Sequence, residues 1–559
     1  MGVHSHESRW TAEPGPALLS LTVGDLLDRR ADERADRPFL LCRNLESGED
    51  TDFTLGGLRR QVNAFAKGLI GLGVQAGDKV GVLCSNRAEW LVANFALAKI
   101  GAVLVTVNTQ SRQAELSHIV RQAELSGLIL QRSHRGNPFL EHLRAIVPDL
   151  GTPGSHPTFR LAVLVGEPGV DEPGTVGFDA VVAAGAEAPD AVLAERQAAV
   201  KPTDVWQIQF TSGTTGAAKG AMLTHHGTVN NAWVFGGAVG LREGDSMVSA
   251  MPLFHTAGNI VEVLGALVHR ARLIKTSSFE AGAMLELIAE QKPTVLCAVP
   301  TMLIAMWNHP TFLATQSKLD SLRLLIGGGT PYPVPVLTRL RDDFGVVAQI
   351  GFGMTELSPM VTCTAMDDPL ERKSLTVGRP LPHLEVKVVG EDGATCPHGQ
   401  PGELLVRGFG VTPGYYRQPD ATARTIDAEG WLHSGDLASM DADGTVRIVG
   451  RLKDMIKRGG ENVYPAEVEN FLMQHPKVAQ AQVVGVPDEY MGEEAAAFIQ
   501  ARPGETVTAE ELEAYCRAHI ARHKLPKYFR FVDGYPLTGS GKVMKFALRD
   551  RLVKELSTT

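Results

Sequence analysis

Up to about residue 350 the sequence alternates between two textures, and this alternation constrains the fold more than any other feature. Short β-branched and apolar runs at 79–84 (KVGVLC), 102–108 (AVLVTVN), 205–210 (VWQIQF), 246–250 (SMVSA), 294–299 (TVLCAV) and 322–326 (LRLLI) read as strands. Between them lie segments such as 57–73 and 281–291, whose apolar residues recur at helical spacing. Repeated strand–helix units imply parallel sheets covered by helices, because each crossover helix packs back onto the sheet it left. The most apolar window, 88–108, is interrupted by Glu89, Asn94 and Lys99, so it reads as a buried helix and a strand, with no membrane span.

From about 383 the texture changes to short strands separated by turn signals, at 384–393, 402–408 and 443–450, as expected of a small antiparallel barrel or sheet. After 451 a third texture follows: a helix at 465–475, strands at 478–486 and 494–502, and a helix at 509–523. This predicts a compact α+β domain. At 559 residues the chain is too long for one ordinary core.

A net charge of −9 argues against a general electrostatic grip on nucleic acid or an anionic membrane. The six cysteines are scattered without a CxxC pair, which fits a reducing, cytoplasmic setting. The opening MGVHSHESRW lacks an apolar signal core, and His6 stands where a myristoylation motif wants Ser or Thr.

Four clusters carry possible chemistry. In 211–220 (TSGTTGAAKG), Gly213 and Gly216 free the backbone to turn consecutive N–H groups onto an anion. Thr211, Ser212, Thr214 and Thr215 add hydroxyls there, and Lys219 adds charge. The pattern is not G-x-x-x-x-G-K-[ST], since Lys219 follows Ala218 and precedes Gly220. A polyphosphate suits it; so does a plain surface turn. In 351–356 (GFGMTE), Glu356 beside Thr355 follows an apolar run and suits Mg²⁺ with phosphate oxygens, or else a helix start that Thr355 caps. Asp436 and Arg451 could grip the vicinal hydroxyls of a ribose, or serve as a turn charge and a surface cation. Lys542 sits on a Gly-rich turn near the C-terminus, where a lysine is usually solvated surface.

Together, in order and wording, these clusters resemble the adenylate-forming superfamily of acyl-CoA synthetases, peptide adenylation domains and firefly luciferase. The resemblance runs from about residue 20 to 552. It is nearest to medium-chain fatty acyl-CoA synthetases in 451–469 (RLKDMIKRGGENVYPAEVE), 476–494 and 524–549.

The resemblance implies an α/β fold: a large N-terminal domain (1–450) of two βα-layered subdomains plus a small β-barrel, binding ATP and the acyl group, and a small mobile α+β domain (451–559). It implies ATP, Mg²⁺ and coenzyme A as cofactors. The 211–220 loop would cradle the β- and γ-phosphates; Ala218 replaces a usual Pro without deleting a donor. Gly328, Gly329 and Thr330 in 327–331 would lie along the adenine, with Phe352 stacking on it beside Gly353. Thr355 would touch the α-phosphate, Glu356 and Thr211 would ligate Mg²⁺, and Asp436 and Arg451 would hold the ribose.

By the same resemblance Lys542 is the catalytic lysine, stabilising the charge that builds when a carboxylate attacks the α-phosphorus. Lys453 is the hinge about which the C-terminal domain turns, and Gly459 and Gly460 leave room for the pantetheine arm. His255 in 251–261 is the aromatic gate, although a structural histidine would read the same. The helix containing Trp233, Val234 and Phe235 supplies an apolar acyl wall, and the sequence shows no evident buried cation to pair with a second carboxylate. The activity implied is acid:CoA ligation through acyl-AMP with release of pyrophosphate. The alternative is an acyl-AMP ligase serving a carrier protein or another nucleophile. The expected partners are the carboxylic acid, ATP and CoA; a homodimer is compatible with the sequence.

Overall fold

The computed structural model describes residues 6–152, 154, 156–166, 172–211, 218–536 and 543–557. The chain separates into two compact units. One comprises Thr11–Glu385 with Val406–Leu432; the other comprises the N-terminal stretch to Trp10, Val386–Leu405 and His433–Thr559.

Among the described residues, the larger unit is built on two twisted sheets. The first runs, edge to edge, through Lys219–Thr224, Val205–Thr211, Val103–Thr106, Lys79–Leu83, Gly127–Gln131, Leu161–Val165 and Val176–Gly177. Its neighbours are parallel except at the Lys219–Thr224 edge, which returns antiparallel on Val205–Thr211. The second sheet runs Arg379–Pro380, Met360–Cys363, Val347–Gly353, Leu324–Gly328, Val295–Cys297, Ser246–Ser249, Arg272–Thr276, Pro38–Arg43 and Asp50–Thr54, with a parallel centre and antiparallel flanks. Central strands such as Val103–Thr106 are buried on both faces, which is why they read as continuous apolar runs.

Leu83, Val105, Leu130, Phe139 and Ile208 share one core cluster, and Val248, Leu296, Leu325, Tyr332 and Ile350 share another. The helix Ala88–Lys99 is buried around nearly its whole circumference. That burial explains an apolar window with no amphipathic stripe.

In the smaller unit, the barrel expected for 383–450 is an open five-stranded sheet, ordered Arg9–Trp10, Leu384–Val389, Gly402–Gly408, Leu432–Met440 and Val446–Arg451. It curls far enough for the Trp10 ring to abut Gly444, where an added Cβ would lie 2.2 Å from the indole. No ladder among the described residues joins its two edges, because the first strand is only two residues long. The rest of the unit pairs the long hairpin Val478–Asp488 and Gly492–Ala501 with Ile456–Arg458, Glu461–Val463 and the parallel strand Tyr528–Phe531. Helices Pro465–Leu472 and Ala509–His519 close a core of Val468, Leu472, Val483, Ala497 and Leu512.

The expected α/β class therefore holds, with the barrel opened. Among the described residues no helix is long and apolar enough to cross a membrane.

Candidate active site

Ser212, Gly213, Thr214 and Thr215 of the expected phosphate loop lie outside the described residues, but the segments on either side are clear. Thr211 ends one strand and Lys219 opens the next, as direct antiparallel partners. The Thr211 hydroxyl donates to the Lys219 carbonyl at 3.4 Å. His118 Nε2 donates to the Ala218 carbonyl at 3.0 Å and so anchors the position before Lys219.

Lys219 directs its ammonium at the face of Tyr415, 4.6 Å from the ring centroid, a cation–π contact. The Tyr415 hydroxyl in turn donates to Glu356 Oε1 at 2.8 Å. Burial first, and the Glu356 charge second, push the Tyr415 phenol well above its ordinary range, so it stays a donor. Sequence reasoning missed Tyr415, which lies 59 residues from Glu356 in a segment, 414–418 (GYYRQ), that shows no periodicity.

Glu356 is 6% exposed and occupies the short 3₁₀ turn Thr355–Leu357, just past the end of strand Val347–Gly353. Met354, not Thr355, is the N-cap of that turn, and no side chain caps it. Tyr415 takes one carboxylate oxygen; among the described residues no donor reaches the other. A nearly buried carboxylate with one open oxygen fits a hard divalent cation. Among the described residues no three His, Cys, Asp or Glu side chains gather, so Mg²⁺ here would draw most of its oxygens from phosphate and water.

The glycines of 327–329 occupy a tight crossing. Gly328 pairs with Gly351 on the neighbouring parallel strand, and a Cβ on Gly328 would lie 2.6 Å from the Gly351 carbonyl. Gly329 has φ +74°, and Thr330 beyond it is exposed. Phe352 is half-buried next to Gly353 on the same strand. Strand Leu324–Gly328 and strand Val347–Gly353 thus bring Gly328, Phe352, Gly353, Thr355 and Glu356 to one end of one sheet.

His255 is half-buried and its Nδ1 accepts the Ala257 N–H at 3.2 Å. It leads into a π-helix, Ala257–Leu264, a rare conformation that tends to mark functional sites. The helix His225–Ala238 packs against this π-helix, with Val234 and Phe235 buried and Trp233 stacked on His269 at 5.0 Å.

A buried cation stands beside the π-helix: Lys275 is 0% exposed. It is already neutralised, because its ammonium donates to Glu262 and to the Met251 carbonyl at 2.7 Å. Ser249 donates to the other Glu262 oxygen at 2.6 Å. Neither strand pattern nor charge spacing signals this pair in the sequence.

In the smaller unit Asp436 and Arg451 are cross-strand partners, and Arg451 Nε meets Asp436 Oδ1 at 2.6 Å. The carboxylate is 3% exposed and the guanidinium 44%, so a buried acceptor is anchored beside an open fork of donors. Lys453 lies exposed in the 3₁₀ turn Leu452–Asp454. Gly459 and Gly460 form the two-residue turn between Ile456–Arg458 and Glu461–Val463, with φ +56° and +88°, angles that a tight hairpin demands and glycine gives freely. Lys542 lies outside the described residues.

This is the architecture of an adenylate-forming enzyme. The crystal structure of the anthranilate CoA ligase AuaEII in complex with anthranoyl-AMP superposes with a TM-score of 0.83 at 27% identity, covering 97% of this chain and 99% of that one. Among curated proteins, YngI of Bacillus subtilis is 41% identical over 96% of this chain and 98% of its own length. The mitochondrial medium-chain acyl-CoA ligase ACSF2 of Mus musculus is 37% identical over 96% and 89%. The AMP-binding enzyme family model matches residues 27–416, and the AMP-binding enzyme C-terminal domain model matches 467–542. The chain belongs to the AMP-binding enzyme family.

Proposed function

We propose that this chain is an ATP-dependent acid:CoA ligase for medium- to long-chain fatty acids or similarly apolar carboxylates. It joins the acid to AMP with loss of pyrophosphate, then passes the acyl group to CoA; ATP, Mg²⁺ and CoA serve the reaction. For the substrate class, the neutralised Lys275 carries the argument. The buried cation beside the π-helix already faces Glu262, so it offers no charge to a second carboxylate; the helix that packs on the π-helix carries apolar Trp233, Val234 and Phe235. The name of the murine relative, a medium-chain acyl-CoA ligase, supports the same reading. Apolar pockets discriminate by only about 1–3 kcal/mol per methylene, so chain-length preference should be broad.

In this reading the residues divide the work as follows. Thr211, Ser212, Gly213, Thr214, Thr215 and Lys219 hold the β- and γ-phosphates; Gly328, Gly329, Thr330, Phe352 and Gly353 hold the adenine; Asp436 and Arg451 hold the ribose. Glu356, with Thr211, would hold Mg²⁺, which supplies charge stabilisation at the phosphate oxygens when bound. The Thr355 hydroxyl faces the α-phosphate, and the Lys542 ammonium stabilises charge on the oxygens around it. His255 separates the nucleotide and acyl ends.

A lysine placed for the first step obstructs the second. Residues 451–559 therefore turn about Lys453 between steps, and Gly459 and Gly460 then leave room for the thiol arm. A cytoplasmic setting goes with this reading, supported by six free and buried cysteines, as does a homodimer, which light scattering checks.

A panel of acids scored by pyrophosphate release tests the substrate assignment. Decanoate and its neighbours should outrun malonate and acetate; a preference for a dicarboxylate would overturn it.

A further inference from the structure

The strand Val205–Thr211 reads VWQIQFT, with two glutamines at alternate positions of an apolar run. The two-residue period of a strand places both side chains on one face. That face is closed to water: Gln207 is 0% exposed and Gln209 4%. Amides buried so completely must be hydrogen bonded, and here the bonds run in one direction. Asn259 Nδ2 donates to Gln207 Oε1 at 2.9 Å, Gln207 Nε2 donates to Gln209 Oε1 at 3.0 Å, and Gln209 Nε2 donates to Thr355 Oγ1 at 3.3 Å.

Each amide accepts on oxygen and donates from nitrogen, so the polarity never reverses. At one end Asn259, on the π-helix, keeps a buried Oδ1 with no partner among the described residues. At the other end Gln209 occupies a lone pair of the Thr355 hydroxyl. No acceptor for that hydroxyl's own proton is found among the described residues.

We propose that Asn259, Gln207 and Gln209 are positioning residues for adenylation: a buried amide relay that fixes the Thr355 hydroxyl as a donor and aims its proton at the α-phosphate. No proton travels along the amides; their contribution is orientation and polarisation. A hydroxyl that accepts from a chain of aligned dipoles is a stronger donor. A donor fixed beforehand toward developing charge lowers the barrier without reorganising. The relay also ties that donor to the π-helix that packs on the acyl-wall helix. This inference rests on the reading of Thr355 as the α-phosphate contact.

Gln207 separates the inference from simple contact effects, since its recorded side-chain partners are Asn259 and Gln209. Gln207→Leu should lower kcat for acid-dependent ATP–pyrophosphate exchange about ten-fold, the worth of one oriented hydrogen bond. KM for ATP should stay within about two-fold, because the lost interaction belongs to the transition state. The thermal midpoint should fall, because Asn259 Nδ2 and Gln209 Oε1 lose a buried partner, whereas thioester formation from supplied acyl-AMP should persist. In a Thr355→Val background the added loss from Gln207→Leu should vanish, and in a Thr355→Ser background it should return.

An unchanged kcat in Gln207→Leu, or a loss that multiplies with that of Thr355→Val, overturns the relay. Should Gln207→Leu not fold, Asn259→Leu carries the same comparison from the relay's far end. Wild-type protein that shows no exchange with any acid removes the ligase reading itself, a different failure from active wild type with an indifferent Gln207→Leu.

Discussion

The Tyr415 hydroxyl donates a hydrogen bond to Oε1 of Glu356 across 2.8 Å, with both side chains buried. The bond fixes which carboxylate oxygen is left to face a cation. A hydrogen bond to a charged group contributes about 1.5–3 kcal/mol. Tyr415→Phe keeps the ring beneath the Lys219 ammonium and deletes only the hydroxyl. It should lower the adenylation rate about ten-fold or more at limiting Mg²⁺ and shift the Mg²⁺ dependence upward. A magnesium titration of pyrophosphate exchange in the two proteins checks this; superimposable curves would separate Tyr415 from the metal.

Lys275 and Glu262 form an ion pair in a fully buried place, so removing one partner strands the other charge. Lys275→Met alone should destabilise the larger unit by about 3–5 kcal/mol, and adding Glu262→Leu should restore most of that loss. Urea unfolding of the single and double variants reads the difference. A double variant no better than the single would mean that the pair acts through something besides charge.

His225 is buried, its Nδ1 accepting the Val23 N–H at 3.1 Å and its ring stacked near Trp206. Burial, the largest cause, pushes its imidazolium from 6.5 down to about 4. The folded protein therefore holds His225 neutral where the unfolded chain would protonate it. Stability from this group is complete above pH 6.5 and declines as pH falls toward 4, by roughly 3 kcal/mol at most. His269, also lowered mainly by burial, acts in the same direction. His225→Gln should flatten the acid limb of a stability–pH curve; an unchanged slope would assign that limb elsewhere.

Gly459 and Gly460 share one turn but not one environment. A Cβ on Gly459 would lie 2.6 Å from Met491 Cε, whereas nothing stands within 4 Å of one on Gly460. Asn tolerates the left-handed angle of Gly460, so Gly460→Asn should leave the turn folded. If the pantetheine arm passes here, the variant should raise KM for CoA several-fold and spare adenylation. Normal CoA kinetics would restrict Gly460 to a turn role.

The α/β architecture was legible because its strands and helices obey local periodicity: the segment expected as a helix at 281–291 is the helix Ala281–Gln291. Asp436 and Arg451 were singled out together in the sequence, and the structure makes them cross-strand partners. Closure of the small sheet was not, since it depends on a two-residue edge strand that sequence cannot weigh. Tyr415 and the Lys275–Glu262 pair were hidden for another reason: each relation is made by tertiary packing. The relay left one trace, the glutamines at alternate positions in 205–211, whose importance appears only once both faces of the strand are known to be buried.

The central claim is that this chain activates a carboxylic acid by joining it to AMP. The most direct measurement is exchange of labelled pyrophosphate into ATP by the wild-type protein with decanoate and Mg²⁺, in the absence of CoA. Exchange that depends on the acid, with AMP and decanoyl-CoA accumulating once CoA is added, is the predicted result. Acid-independent release of ADP, or no exchange with any carboxylate, would contradict it.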